Sequence, residues 1–181
     1  MNNGTVATGN SIGTLNINGT YGHAPDGIHA VEVNAAGQGD RINVSGAPGT
    51  ATITGGTVSV IAAPGVYAPS TTYTIVSTTG GVTGAHARSL TNFPFLQSSL
   101  SSDSNNIYLT LKPGGFARGA GSTNQAAVGG ALDRSVAGSS GDFATVIGTL
   151  STVTLAQGQA AMDALSGQNY SGFATAGIGS S

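Results

Sequence analysis

The hydrophobic pattern of the sequence changes its period near Gly114. Before this point apolar residues alternate with Thr, Ser and Asn, as at positions 14–18 and 73–76, which is the period of about 2 that is typical of strands. After it they recur at helical spacing. One such set comprises Phe143, Val146, Ile147 and Leu150. The pattern therefore predicts a mainly β body followed by a short α-helical tail.

The predicted strands are short and are separated by Gly, Asn and Pro turn signals such as Asn18-Gly19 and Gly80-Gly81. They cover positions 15–17, 30–33, 42–44, 51–53, 58–61, 73–77 and 107–111. Short strands at this spacing fit either an antiparallel sandwich or a parallel β-helix. The polar positions favour the β-helix, because outward Thr, Ser and Asn side chains can stack and hydrogen-bond between its successive turns.

A cluster of large apolar side chains interrupts this pattern at Phe93-Pro94-Phe95-Leu96. Pro94 cannot donate a backbone hydrogen bond to a sheet. The last turn of a β-helix would also leave unpaired strand edges unless something covered it. We therefore expect a hairpin-type cap over positions 80–113.

Three helices are predicted after Gly114. Capping signals for their N-termini stand at Ser122 with Gln125, at Asp142, and at Thr154 with Gln157. Apolar residues follow each signal, and the third helix is expected to run through Met162 and Leu165 to a C-terminal Gly167. Because helices this short are unstable alone, they should pack on each other, on the β body or on a partner.

The composition excludes one class of partner. Only 7% of the 181 residues are charged and the net charge is −2, against about 25% charged residues in an average globular protein. A chain without a basic patch is not expected to bind nucleic acid. The absence of cysteine also removes disulfides and thiolate metal sites from consideration.

A few short patterns could carry chemistry, but each also fits a turn. Gly9-Asn10-Ser11-Ile12-Gly13 matches the nucleophile elbow of hydrolases without the strand and helix that should flank it. His23, Asp26 and His29 could bind a metal around one surface turn, and Glu32 with Asp40 could form a catalytic acid pair. Gly37-Gln38-Gly39-Asp40 resembles a calcium-binding β-roll that lacks its repeat. We interpret all of them as turns, and predict no catalytic residue, metal site or cofactor.

A series of short motifs then extends from about Gly13 to Tyr170. In order, they are Gly19-Thr20-Tyr21, Val31-Glu32-Val33, Asp40-Arg41-Ile42-Asn43-Val44-Ser45-Gly46, Gly55-Gly56-Thr57-Val58, Tyr73-Thr74-Ile75-Val76, Gly81-Val82-Thr83-Gly84, the 93–96 cluster, Ile107-Tyr108-Leu109-Thr110-Leu111, Asn124-Gln125 and Leu165-Ser166-Gly167-Gln168-Asn169-Tyr170. This order resembles the C-terminal passenger region of type V autotransporters, the pertactin-like β-helix family of Gram-negative bacteria. Gln168 stands where that family commonly has Glu, and the translocator barrel that follows in the family is not in this sequence.

The resemblance implies a right-handed parallel β-helix with its rungs at 1–79 and an autochaperone-like cap at 80–113. It also implies that 114–181 form a helical connector toward an outer-membrane β-barrel. The implied partners are that barrel and the preceding rungs of the passenger, with self-association or a host surface as further options. The implied location is the outer membrane or cell surface, or the medium after secretion, reached through the periplasm.

We therefore expect a non-enzymatic segment that nucleates and caps β-helix folding during translocation, since a solenoid can fold from one end. Its expected folding core consists of Tyr73, Ile75, Phe93, Phe95, Leu96, Leu109 and Leu111. The expected connector residues are Asn124, Gln125, Leu132, Leu165, Gly167 and Tyr170. Two other functions stay open here. One is an adhesion or self-association module, and the other is a β-helix carbohydrate-active enzyme, for which clustered carboxylates are lacking.

Overall fold

The computed structural model describes residues 1–9 and 11–167. Its strands are β1 (Thr5–Val6), β2 (Thr14–His23), β3 (Ile28–Val33), β4 (Arg41–Ile53), β5 (Thr57–Ala62), β6 (Thr71–Thr78), β7 (Gly81–Gly84), β8 (Arg88–Thr91), β9 (Leu96–Ser102) and β10 (Asn106–Pro113). Its helices are α1 (Thr123–Ser135), α2 (Gly141–Leu150) and α3 (Leu155–Leu165), with a 3-10 turn at Val136–Gly138. The mainly β body and the short C-terminal helices predicted from the period change are confirmed.

Most strands pair in parallel with strands about one circuit of the chain away, and these pairs form three stacks. The first half of β2 aligns with the first half of β4, and that part of β4 aligns with β6. The second halves of β2 and β4 align with each other, and β4 then aligns with β7. In the third stack β3, β5 and β8 bring Ile28, Thr57 and Arg88 into register.

The main core is formed by the inward side chains of these stacks, which alternate with outward polar ones because successive strand residues face opposite sides. Ile42 and Val44 in β4 are fully buried. Their partners in β2, Leu15 and Ile17, occupy the same register but are only half-buried. The difference follows from position, because β2 lies at the outer edge of its sheet.

Outward polar side chains hydrogen-bond from one strand to the next, as the sequence predicts. The Asn43 amide nitrogen donates to Asn16 Oδ1 at 3.0 Å, and Ser77 Oγ donates to Asn43 Oδ1 at 3.1 Å. These three residues are in register on β2, β4 and β6. They give the surface a ladder of amide and hydroxyl groups.

Every predicted strand lies within an observed strand, although 42–44 and 51–53 belong to the single strand β4. The prediction missed β1, β7, β8 and β9. Parallel pairing continues through β8, inside the segment where a hairpin-type cap is expected. An antiparallel hairpin then follows, in which β10 pairs with both β9 and β6.

The capping signals of α1 and α3 are confirmed. Ser122 Oγ accepts from the Gln125 backbone N–H, and Thr154 and Gln157 form a complete capping box. The expectation for α2 is wrong, because Ser140 holds the N-cap position and Asp142 lies in the first turn. An acidic residue in that turn still interacts favourably with the helix dipole.

The apolar stripe predicted for α2 is only partly correct. Ile147 is buried, whereas Phe143 and Val146 are about half exposed. The helix contacts the rest of the molecule through Ile147, Gly148 and the partly buried Leu150, so the C-terminal part of the predicted stripe faces the core and its N-terminal part does not.

Candidate functional site: the C-terminal cap

The β9–β10 hairpin closes the stack of parallel strands. Its turn is held by Asp103, whose Oδ1 accepts the backbone N–H groups of Asn105 and Asn106 at 2.8 and 2.7 Å. Tyr108 donates its hydroxyl to Asp103 Oδ2 at 2.7 Å. This phenol and the neighbouring donors lower the pKa of the Asp103 carboxyl to about 2. The turn is therefore locally specified, independent of contacts with the distant N-terminal strands.

The inward face of the hairpin continues the main core. Leu109 lies opposite Tyr73 in the β6–β10 pair, and both side chains are buried together with Ile75 and Leu111. Tyr73 donates its hydroxyl to the Asn34 carbonyl at 2.6 Å, and burial raises the pKa of this phenol. These four predicted core residues therefore meet in the main core, which Leu96 also enters, and the Tyr73 hydroxyl connects this core to the loop after β3.

The predicted apolar group at 93–96 does not form one plug. Leu96 is buried in the main core, and Phe93 packs against that core while only half-buried. Phe95 is fully buried in a second cluster with Phe116, Leu132, Val136, Ile147 and Met162. Phe95 lies in the turn before β9 and packs against the helical segment, whereas Leu96 begins β9 and faces the main core. The expectation of a single hydrophobic plug is corrected in this respect.

Phe95 is held closely by the helical segment. Its ring stacks on Phe116 with centroids 5.2 Å apart and planes 15° from parallel. A Cβ added at Gly158 of α3 would lie 2.5 Å from Phe95 Cζ and closer still to its Cε2. Such close approach requires glycine, because a Cβ would overlap a ring that packing prevents from moving. The helices therefore close around this one side chain of the β body.

Polar contacts also anchor the helices. The Asp133 carboxylate of α1 accepts from the backbone N–H groups of Phe116 and Ala117, each at 3.1 Å. Thr152, after α2, exchanges hydrogen bonds with the backbone of Gly65 at 3.2 to 3.3 Å. Within the helical layer, the Gln125 amide donates to Asp163 Oδ2 at 2.8 Å. The sequence left open whether the helices pack on each other, on the β body or on a partner. In the structure they pack both on each other and on the β body.

The predicted connector residues differ in their surroundings. Leu132 and Gln125 are buried between helices, whereas Asn124 is exposed. Leu165 is also exposed, so the expected apolar face of α3 ends at Met162. Gly167 has φ of +74°, the left-handed conformation in which glycine commonly ends a helix. Tyr170 lies outside the described residues.

The acid-pair and nucleophile-elbow candidates, Asp40 and Ser11, lie in positions that explain them without a catalytic role. Asp40 is buried, and its carboxylate accepts from the Gly13 and Glu32 backbone N–H groups at 2.8 and 2.9 Å. It is therefore a buried brace between chain segments and not the solvated turn residue that was expected. Ser11 precedes β2 and is not followed by a helix, so the elbow context is missing, and Asn10 of that motif lies outside the described residues.

The expected surface turn is present at Pro25 and Asp26, but the two histidines that flank it do not lie at the surface. His23 and His29 are fully buried, and only Asp26 of that group is exposed. Within residues 1–9 and 11–167, no group of three or more His, Cys, Asp or Glu residues is arranged to hold a metal ion.

Sequence reasoning also missed Phe116, Tyr67 and the role of Gly158. Tyr67 is buried beside α2 and donates its hydroxyl to the Ala63 carbonyl at 3.1 Å, and burial raises the pKa of this phenol to about 12. An isolated aromatic residue in a Gly-rich loop gives no periodic signal, which is why neither Tyr67 nor Phe116 was detected.

Comparison with known proteins does not assign the chain to a family. The sequence matches no protein-family model, and a search of curated proteins finds no match. In the part of the chain that the structure describes, no helix is both long and apolar enough to cross a membrane.

Proposed function

We propose that this chain is a non-enzymatic segment of a type V autotransporter passenger, in which the C-terminal cap nucleates and stabilises the folding of a right-handed parallel β-helix. Its partners are the preceding rungs of the passenger and the translocator barrel. It acts at the outer membrane or cell surface, or is secreted, after passage through the periplasm. The observation that carries this proposal is the antiparallel β9–β10 hairpin at the end of the parallel stacks.

The β-helix part of the proposal is supported by the three stacks. Each circuit of the chain contributes one strand to each stack, as Ile28, Thr57 and Arg88 illustrate on β3, β5 and β8. Parallel strands in one sheet need a crossover, and crossovers are right-handed in about 98% of cases. A coil of parallel strands with an inward apolar and an outward polar face fits these pairings.

The nucleating role is supported by the order in which contacts can form. The β9–β10 hairpin pairs Ser102 with Ile107 across a short turn, whereas the pairing of Thr14 with Arg41 closes a much longer loop. Closing a longer loop costs more conformational entropy, and non-local pairing is slower. A hairpin that forms early on its own turn then offers the edge of β10 to β6, and β6 offers its own edge to β4.

The cap also protects the end of the coil. Without β9 and β10, β6 would expose an unpaired strand edge, which is a site for aggregation. The helices add a second layer, because Phe95 of the cap is enclosed by them. We infer that cap and helices together keep the folded passenger from unravelling at its membrane-proximal end.

The non-enzymatic part of the proposal is supported by Asp40. A glycosidase needs two carboxyl groups free to exchange protons or attack the sugar. Both oxygens of Asp40 accept backbone hydrogen bonds, so the Glu32–Asp40 pair does not meet that need.

Self-association is the second candidate function, and one observation favours it. Ile28, Ile61 and Leu90 project from the outward face of the β3–β5–β8 stack and are exposed. Several apolar residues on one flat face are typical of contact surfaces. If this face joins two copies, Leu90→Ser will shift a dimer to monomers in sedimentation measurements. A wild-type chain that is monomeric at high concentration would remove this candidate.

The nucleation proposal is tested by comparing two fully buried positions at opposite ends of the β body. Leu109→Ala weakens the hairpin, and Val31→Ala weakens an N-terminal strand. We expect Leu109→Ala to slow refolding, with a φ-value of roughly 0.5–0.8, and Val31→Ala mainly to speed unfolding, with a φ-value below about 0.3. Stopped-flow refolding in urea measures both. Equal φ-values, or a higher one at Val31, would contradict a C-terminal nucleus.

A further inference from the structure

The three histidines of the sequence lie together in the interior of the β body. His23 ends β2, His29 lies in β3, and His86 lies between β7 and β8. The ring of His86 is 4.9 Å from that of His23 and 5.8 Å from that of His29, measured between centroids. His23 and His29 are inaccessible to solvent, and His86 is buried as well.

Two glycines beside the rings, Gly27 and Gly56, leave the space that the rings occupy. Gly56, which precedes β5, has φ of +81°, and a Cβ placed there would lie 2.5 Å from His23 Nε2. A Cβ on Gly27 would lie 2.9 Å from His23 Cε1. Glycine at both positions leaves the space that the imidazoles fill, and a larger residue would displace them.

Few polar groups serve the ring nitrogens. His23 Nδ1 is 3.0 Å from the Tyr21 hydroxyl. Both ring nitrogens of His29 and both of His86 are buried without a hydrogen-bond partner among the described residues. Burying a neutral imidazole without hydrogen-bond partners costs free energy. Burying a protonated imidazole here would cost far more, because two N–H donors and a positive charge would be left unpaired.

No carboxylate offsets such a charge. The elements around the rings carry few ionisable groups. These groups are Tyr21 on β2, Asp26 in the turn after it, Glu32 on β3, Arg41 on β4, Arg88 on β8 and the amino terminus of Met1. β5 and β7 carry no charged residue, and β9 and β10 present Leu100, Ser101, Ser102 and Ile107 to the cleft beside His86. Burial lowers the pKa of all three rings, and the neighbouring rings lower the pKa of His29 and His86 further, whereas the backbone of Gly27 partly opposes the shift at His23.

We propose that this histidine cluster is a proton-sensitive lock on the β body, which holds the strands together near neutral pH and releases them on mild acidification. The histidines bind protons in the unfolded chain and not in the folded cluster, so acid shifts the folding equilibrium toward the unfolded chain. The lock lies where the first and third circuits of the chain meet, so its release separates strands and not merely a surface loop.

The direction and the pH window follow from the pKa shifts. Burial lowers the pKa of His29 to about 3 and that of His86 to about 4, from the ordinary 6.5. Well above pH 6.5 these rings are neutral in both the folded and the unfolded state, and pH then has no effect on stability through them. Stability is lost as pH falls below 6.5, and the loss continues down to the folded-state pKa values. The unfolding equilibrium constant should rise roughly 20-fold per histidine from pH 7 to pH 5, and so several hundredfold for the two.

Urea unfolding at pH 7 and pH 5 tests the proposal. The wild-type constant should show the several-hundredfold rise, and His86→Gln should reduce that rise by roughly 20-fold. Asp103→Asn is the matched control, since the pKa of Asp103 is about 2 and its effect falls below this window. A wild-type stability that is equal at both pH values, or an undiminished pH dependence in His86→Gln, would overturn the proposal.

A second measurement does not depend on a variant that folds. The imidazole Cε1 proton shifts of the folded wild-type protein should stay constant for His29 and His86 from pH 7 to pH 5. Titration of either ring with a midpoint near 6.5 in the folded protein would overturn the lock, whatever the behaviour of the variant.

Discussion

Replacing Phe95 by alanine should separate the helical layer from the β body. The ring is fully buried, stacks on Phe116, and is enclosed by the backbone of Gly158. It belongs to the core that the helices share and not to the main β core. The truncation therefore removes the main apolar anchor of the helices and leaves the strand pairing intact.

The expected cost is about 3–5 kcal/mol, the range for truncating a buried Phe to Ala. The helices have little stability of their own, because segments of 10 to 13 residues are marginal in water without tertiary packing. A loss of this size should exceed what the remaining contacts of the helices supply. We expect Phe95→Ala to unfold its helices at lower urea concentration than its strands.

Two optical probes separate these events. Circular dichroism at 222 nm follows the helices, and tyrosine fluorescence follows the β body, since the sequence has no tryptophan and Tyr21, Tyr67 and Tyr73 are buried in the main core. The two curves should coincide in the wild type and diverge in Phe95→Ala. Leu96→Ala, one residue away in the main core, should instead shift the fluorescence transition. Phe143→Ala, at a side chain 45% exposed, should change neither by more than about 1 kcal/mol.

Coincident transitions in Phe95→Ala, with a loss below about 1 kcal/mol, would refute this reasoning. The ring would then not be the anchor of the helical layer. Identical behaviour of Phe95→Ala and Leu96→Ala would likewise show that the two clusters act as one core.

Two further predictions use matched positions. Gly158→Ala should destabilise the protein by about 1–3 kcal/mol despite the better helix propensity of alanine, because the added Cβ would overlap Phe95. In Gly130→Ala of α1 the added Cβ meets only the end of the flexible Arg134 side chain. That variant should be neutral or stabilising by up to about 1 kcal/mol. Thermal melts that rank the two variants the other way would contradict this packing. Asp40→Ala should cost about 2–4 kcal/mol, since two backbone N–H groups lose a charged acceptor, and exposed Asp26→Ala should cost less than about 0.5 kcal/mol in the same urea titration.

The sequence predicts the strands that carry alternating apolar residues. It does not predict strands that are extended only because they pair with a neighbouring strand. β7 and β8 consist largely of small and polar residues around Val82 and Leu90, so no periodic signal marks them, and they are extended because β4 and β5 offer them edges. The starts of α1 and α3 are predicted well because their capping signals are local. Such signals depend on residues three positions apart and survive any tertiary arrangement.

The arrangement of the cap and of the histidines depends on register, which the sequence alone does not reveal. Phe95 and Leu96 are adjacent and equally apolar, and only the packing of the helices decides that they enter different cores. His23 and His86 are far apart in the chain and meet because the strands between them stack. A one-residue change of register would turn an inward residue outward, so neither contact could be inferred from spacing.

The order of strand formation during refolding tests the central claim most directly. Pulse-labelled hydrogen exchange during refolding from urea reports when each backbone amide becomes protected. The account predicts that amides of β6, β9 and β10 gain protection first, followed by β4 and last by β2. Protection that appears first in β2 and β3, or simultaneously along the chain, would contradict a cap that nucleates the fold.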